Sequence, residues 1–154
     1  MSSARRIHWV TDNLAVGPFA SPSRIQWLVD EGVTDVLNVS DARSLVEAHQ
    51  AGFRSVVFIP IADCVPILDE SLEECLTALD AMFARPEAKV FVHCLAGQNR
   101  SPTIAWLYLL RLGWEELAAR EQIADRAVDA VPAHPHLITP ELVSLAKCWG
   151  RPRE

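Results

Sequence analysis

The run from Lys89 to Gly113 constrains this chain more than any other part of it. Lys89-Val90-Phe91-Val92 is a short, β-branched and aromatic piece of strand length. Ser101-Pro102 opens a strongly apolar stretch of helix length that runs through Leu112 to Gly113. Proline suits the first turn of a helix and glycine the position just past its end. A buried strand that feeds a buried helix through one short loop calls for a layered α/β architecture, with helices covering a sheet.

The remaining segments repeat that alternation. Ile7–Val10 and Leu14–Val16 flank Asp12-Asn13 and read as a hairpin. Pro22-Ser23 opens a helical stretch with Ile25, Leu28 and Val29 on one face, stopped by Gly32. Val33–Val39 and Val56–Ile61 read as buried strands, the second giving way to the Asp63–Pro66 loop. Asp69 or Ser71 is expected to cap a helix whose apolar face is Leu72, Cys75, Leu76, Leu79 and Phe83. Trp114–Val128 and Pro140–Trp149 read as two further helices around the proline-rich Val131–Pro140. The expectation is a single domain over residues 1–154: α/β, a mostly parallel central sheet flanked by helices. In such sheets ligands bind beyond the carboxyl ends of the strands, which directs attention to the residues after Val92.

Composition excludes several function classes. At 50% hydrophobic and 22% charged, 154 residues make an ordinary globular domain. No apolar run is long enough for a membrane span, and the arginines of MSSARRIHWV precede no apolar stretch of a secretory signal. Cys64, Cys75, Cys94 and Cys148 form neither a C-x-x-C pair nor a disulfide framework, which suits a reducing cytoplasm. The net charge of −6 argues against a nucleic-acid partner. His134 and His136 lack acidic or cysteine neighbours at metal-ligand spacing, so no metal and no cofactor are expected. Twelve arginines against two lysines, with many alanines, suggest a GC-rich bacterial source.

After the third strand come His93-Cys94-Leu95-Ala96-Gly97-Gln98-Asn99-Arg100-Ser101. A loop that turns directly into a helix N-terminus aims successive amides at one point and adds the positive end of the helix dipole. Gly97 permits a tight wrap, and Arg100 offers a planar fork that suits two oxygens of a phosphate. The same field favours the thiolate of Cys94. One loop thus supplies an oxyanion cradle, formed by Leu95, Ala96, Gly97, Gln98, Asn99 and Arg100, together with an attacking group.

The stretch H-C-x-x-G-x-x-R-S resembles the signature of the cysteine-dependent protein tyrosine phosphatase superfamily, and at this length the chain is most similar to its compact dual-specificity members. The resemblance implies that fold and a phosphocysteine mechanism, with Cys94 as nucleophile and Arg100 as phosphate clamp. It also implies an aspartate on a loop roughly thirty residues upstream. Asp63, 31 residues before Cys94, fits that role. Asp69 is the competitor, but it stands just before a helix and is more simply a cap. His93 is then a supporting residue, and Ser101 either assists departure of the sulfur or caps the helix.

The implied substrate is a phosphorylated protein, with phosphotyrosine favoured, or a small aryl phosphate. Leu95, Ala96, Gln98 and Asn99 carry no charge, which weakens a phosphoinositide reading, whereas Asn99 before Arg100 resembles the RNA 5′-triphosphatase branch. From other classes, a rhodanese-type sulfurtransferase has a shorter loop, and an idle phosphate-binding module would have lost a reacting group. Cys75 and Cys148 read as core residues, and Cys64, beside the acid, as a candidate oxidation partner of Cys94.

Overall fold

The computed structural model describes residues 7–18, 22–42 and 52–149. Among these, β1 (His8–Trp9) and β2 (Leu14–Gly17) form the hairpin, and β2 pairs in parallel with β5 (Val90–His93). On its other side β5 pairs with β3 (Asp35–Asn38), which pairs with β4 (Ser55–Phe58), both parallel. The order is β1-β2-β5-β3-β4, so β5 is inserted between strands that precede it in the chain. The carboxyl end of β5 therefore lies between the loops that leave β2 and β3, the setting in which α/β sheets bind ligands.

Alternation along β5 explains why the strand has no polar face. Val90 and Val92 enter one core with Leu14, Val16 and Leu37, while Phe91 enters a second with Ala15, Val36 and Leu28. The second core is covered by α1 (Pro22–Asp30). Over the first lie α2 (Asp69–Phe83), α3 (Arg100–Arg111), α4 (Glu116–Arg126) and α5 (Pro140–Cys148). Every residue of α3 from Arg100 to Leu110 is buried, which fits its nearly all-round apolar sequence. No described helix is long and apolar enough to cross a membrane.

The architecture expected from sequence is present, with corrections at the ends of elements. β3 and β4 are shorter than their predicted runs, with single backbone bonds such as Val39 to His93 and Ile59 to Asn38 continuing past their ends, and β5 is shifted by one residue, to Val90–His93. Neither Asp69 nor Ser71 caps α2. The cap position is Leu68, without a side-chain bond, and Asp69 and Glu70 occupy the first turn, where carboxylates meet the positive helix end. The third helix begins at Arg100, so Ser101 lies inside it and is not its cap. Cys75 is buried as expected, but Cys148 is exposed at the end of α5 and is not a core residue.

Candidate active site

The segment from His93 to Ser101 forms the loop between β5 and α3. Cys94 is buried at its base, at 2% exposure, with Sγ 3.5 Å from Ser101 Oγ. Ser101 Oγ also donates to the carbonyl of Gly17 at 3.4 Å, which ties the loop to the end of β2. Among the described residues, no acceptor takes the backbone amides of Leu95 through Arg100. Free amides around a buried thiol, at a helix N-terminus, are the groups that would hold an oxyanion.

Gly97 is required twice over. Its φ of +76° is disfavoured for any residue with a Cβ, and a Cβ there would lie 2.6 Å from the carbonyl carbon of Gly17. The loop thus packs backbone against backbone on the Gly17–Pro18 peptide. On the opposite flank the Val131 amide donates to the Gln98 carbonyl at 2.6 Å. Thr103 Oγ1 donates to the Val131 carbonyl and accepts from the His134 amide. The proline-rich segment is thereby a clamp on the loop.

Arg100 is buried, and its Nη1 donates to the Ile61 carbonyl at 2.9 Å and lies 3.4 Å from Asp41 Oδ1. Asp41 adjoins a knot of polar groups at the end of β3. Asn38 Oδ1 accepts from the Ser40 amide and Asn38 Nδ2 donates to the Ala42 carbonyl, while the Ser40 hydroxyl lies 2.6 Å from Asn38 Oδ1 and 2.9 Å from the Ala42 carbonyl and donates its one proton to either. This aspartate and its support were missed by sequence reasoning. Their signal was three polar residues, Asn38, Ser40 and Asp41, set around Val39 at the carboxyl end of a buried strand.

Asp63 stands in the turn two residues beyond Ile61, exposed, with Oδ1 accepting from the Cys64 amide at 3.0 Å. Cys64 has a φ of +62°, which marks a sharp turn. At its far end this loop is held by the Ile67 amide donating to Leu137. The structure thus brings Cys94 and Ser101 into direct contact, while Arg100, adjacent to Ser101 in the chain, is tied by its guanidinium to Ile61, two residues before Asp63. Cys64 is exposed and not disulfide-bonded, and residues 43–51, which follow Asp41 in the chain, lie outside the described residues.

His93 is fully buried beneath the loop, with Nδ1 3.2 Å from the Cys94 carbonyl. A carbonyl only accepts, so Nδ1 carries the proton. Burial pushes the imidazole down to about 4, which keeps it neutral at physiological pH.

Comparison with known proteins gives a consistent result. Residues 5–140 match the family described as "Swiss Army Knife protein, DSP-PTPase phosphatase domain". Over 99 residues, 64% of the chain, it is 30% identical to dual specificity protein phosphatase 5 of Homo sapiens, and spans a quarter of that protein's length. The fold matches the crystal structure of PTPMT1 in complex with PI(5)P with a TM-score of 0.73, at 20% identity and over 92% of both chains. It matches Tk-PTP in its active form with a TM-score of 0.74, at 20% identity, over 92% of this chain and 95% of that one. At that identity the likeness to the two structures is one of fold.

Proposed function

Since the chain belongs to the DSP-PTPase family of cysteine-based phosphatases, we propose that it hydrolyses phosphomonoesters through a phosphocysteine, with phosphotyrosine in proteins as its main substrate class. In the first step the Cys94 thiolate attacks phosphorus in line. The S–P bond forms as the bond to the leaving oxygen breaks, while the loop amides and Arg100 hold the equatorial oxygens. Asp63, protonated, gives its proton to the departing phenol or alcohol oxygen. In the second step ionised Asp63 takes a proton from water as that water attacks phosphorus. The S–P bond breaks, phosphate leaves, and the Ser101 hydroxyl donates to the returning thiolate. Fixed dipoles and Arg100 carry the charge stabilisation that a divalent metal supplies elsewhere, so no metal is required. A nucleophilic thiol has to stay reduced, which favours a cytoplasmic setting.

The observation that carries this reading is the buried Cys94 thiol, 3.5 Å from Ser101 Oγ, at the foot of a loop whose amides are unclaimed among the described residues. Its test is hydrolysis of p-nitrophenyl phosphate in EDTA. Wild type should turn over, Cys94→Ser should lose roughly 10⁴-fold or more, and Asp63→Asn about 10²-fold. Vanadate binding without turnover would indicate an idle phosphate-binding module instead.

A further inference from the structure

The signature loop has a second wall that the proposed chemistry does not use. Beyond Gly97, a crevice of about 50 Å³ opens between the loop and the turn after α4, lined by His8, Pro18, Gln98 and Asp129 among others. It is large enough for one small group, and its floor is the backbone that would hold phosphate. Asp129 is exposed and makes no hydrogen bond or ion pair among the described residues; Arg126, three residues earlier, does not pair with it. The other two carboxylates at this end of the sheet are engaged, Asp41 with Arg100 and Asp63 with the Cys64 amide.

The charge balance around the mouth is one-sided. Among the described residues 18, 39–42, 59–68, 94–100 and 127–139, which follow β2, β3, β4, β5 and α4, Arg100 is the single arginine or lysine, against Asp41, Asp63 and Asp129. Arg100 itself is buried and turned toward the loop backbone at Ile61. The exposed side chains at this end include the apolar Leu95 at 45%, Val65 at 49% and Val131 at 42%, alongside Gln98. Among the described residues, charge complementarity therefore favours a substrate chain with apolar and cationic neighbours over a polyanionic one.

From these features the geometry points to a specificity subsite: the crevice accepts the ammonium of a lysine adjacent to the phosphorylated residue, with Asp129 as counter-ion. This rests on the phosphatase reading above and names its substrate class as basic phosphopeptide segments. Asp129 acts in selection alone, away from the reacting atoms.

The test compares two phosphotyrosyl peptides that differ only in lysine or glutamate on both sides of the phosphotyrosine. Wild type, Asp129→Asn and Asp129→Lys are assayed for kcat/KM at low salt, with p-nitrophenyl phosphate as the neutral reference. Wild type should prefer the lysine peptide about fivefold, the upper range for an exposed pair. Asp129→Asn should abolish that ratio and Asp129→Lys invert it, while p-nitrophenyl phosphate turnover stays unchanged in all three. Equal rates on both peptides, or a ratio that survives Asp129→Asn, would overturn the subsite. Faster turnover of PI(5)P than of either peptide would overturn the substrate class. Affinity of Cys94→Ser for the two peptides by fluorescence anisotropy separates the two readings, because the lysine preference must persist there even if turnover fails.

Discussion

Arg100 donates through Nη1 to the carbonyl oxygen of Ile61, 2.9 Å away and two residues before Asp63. The side chain assigned to clamp phosphate therefore also anchors the loop that carries the proposed acid, and the two functions share one guanidinium.

Replacing that group tests the coupling. Arg100→Lys keeps the charge but loses the fork and cannot serve both the phosphate and Ile61. The expected fall in kcat/KM for p-nitrophenyl phosphate is about 10²–10³-fold, the scale for removing one oriented donor from an oxyanion site. An equal loss from Asp63→Asn alone and from the double variant with Arg100→Lys would show that the two residues act as a unit.

Asp41 is a positioning residue for the same guanidinium, at 3.4 Å and with an exposed carboxylate. Asp41→Asn is expected to raise KM about threefold while kcat changes little, as befits an exposed pair. A large drop in kcat would instead assign Asp41 to the chemical steps.

Ser101 Oγ sits 3.5 Å from Cys94 Sγ and is suited to receive the charge that returns to sulfur. Ser101→Ala should slow breakdown of the phosphocysteine, lowering kcat about tenfold with a much smaller change in kcat/KM. Stopped-flow measurement should then show a burst of p-nitrophenol close to one equivalent of enzyme.

Gly97→Ala places a Cβ 2.6 Å from the Gly17 carbonyl carbon at a φ of +76°. The strain is of order 1–3 kcal/mol before any clash with backbone is relieved. Thermal unfolding should fall by several degrees, and vanadate binding should weaken with it, because the loop can no longer seat on Gly17–Pro18.

His93 sets a pH window for stability. Its folded-state value is depressed from 6.5 to about 4, so the unfolded chain takes up a proton before the folded one does. The contribution is complete above pH 6.5 and is lost as pH falls toward 4, amounting to about 3 kcal/mol. Denaturant midpoints should fall through that range in wild type, and the fall should be shallower in His93→Asn. Buried Asp35 is held below its usual value of 3.8: burial raises it, and hydrogen bonds from Ser55, Thr34 and Arg54 more than offset that, so its loss begins only at lower pH.

The Cys94 loop was legible in the sequence because its geometry is local. A strand, a glycine that tolerates positive φ and a helix start succeed one another in the chain, and offsets of a few residues fix which side chains can share a site. The alternation of apolar runs fixed the α/β class for the same reason. The sequence set Asp69 aside as a helix cap in favour of Asp63, whereas the structure places Asp69 in the first turn of α2 behind the cap residue Leu68. Its lack of a side-chain capping bond was not legible, since a cap depends on the approach angle of the chain.

The sequence by itself determined the periodic elements, the spacing of Cys94, Gly97, Arg100 and Ser101, and the chemistry those side chains possess. Tertiary structure alone decided what meets them: Asp41 at 59 residues from Arg100, Gly17 at 84 from Ser101, and Val131 against Gln98. These partners depend on β5 entering the sheet between β2 and β3, an outcome of packing two apolar faces that no spacing along the chain encodes.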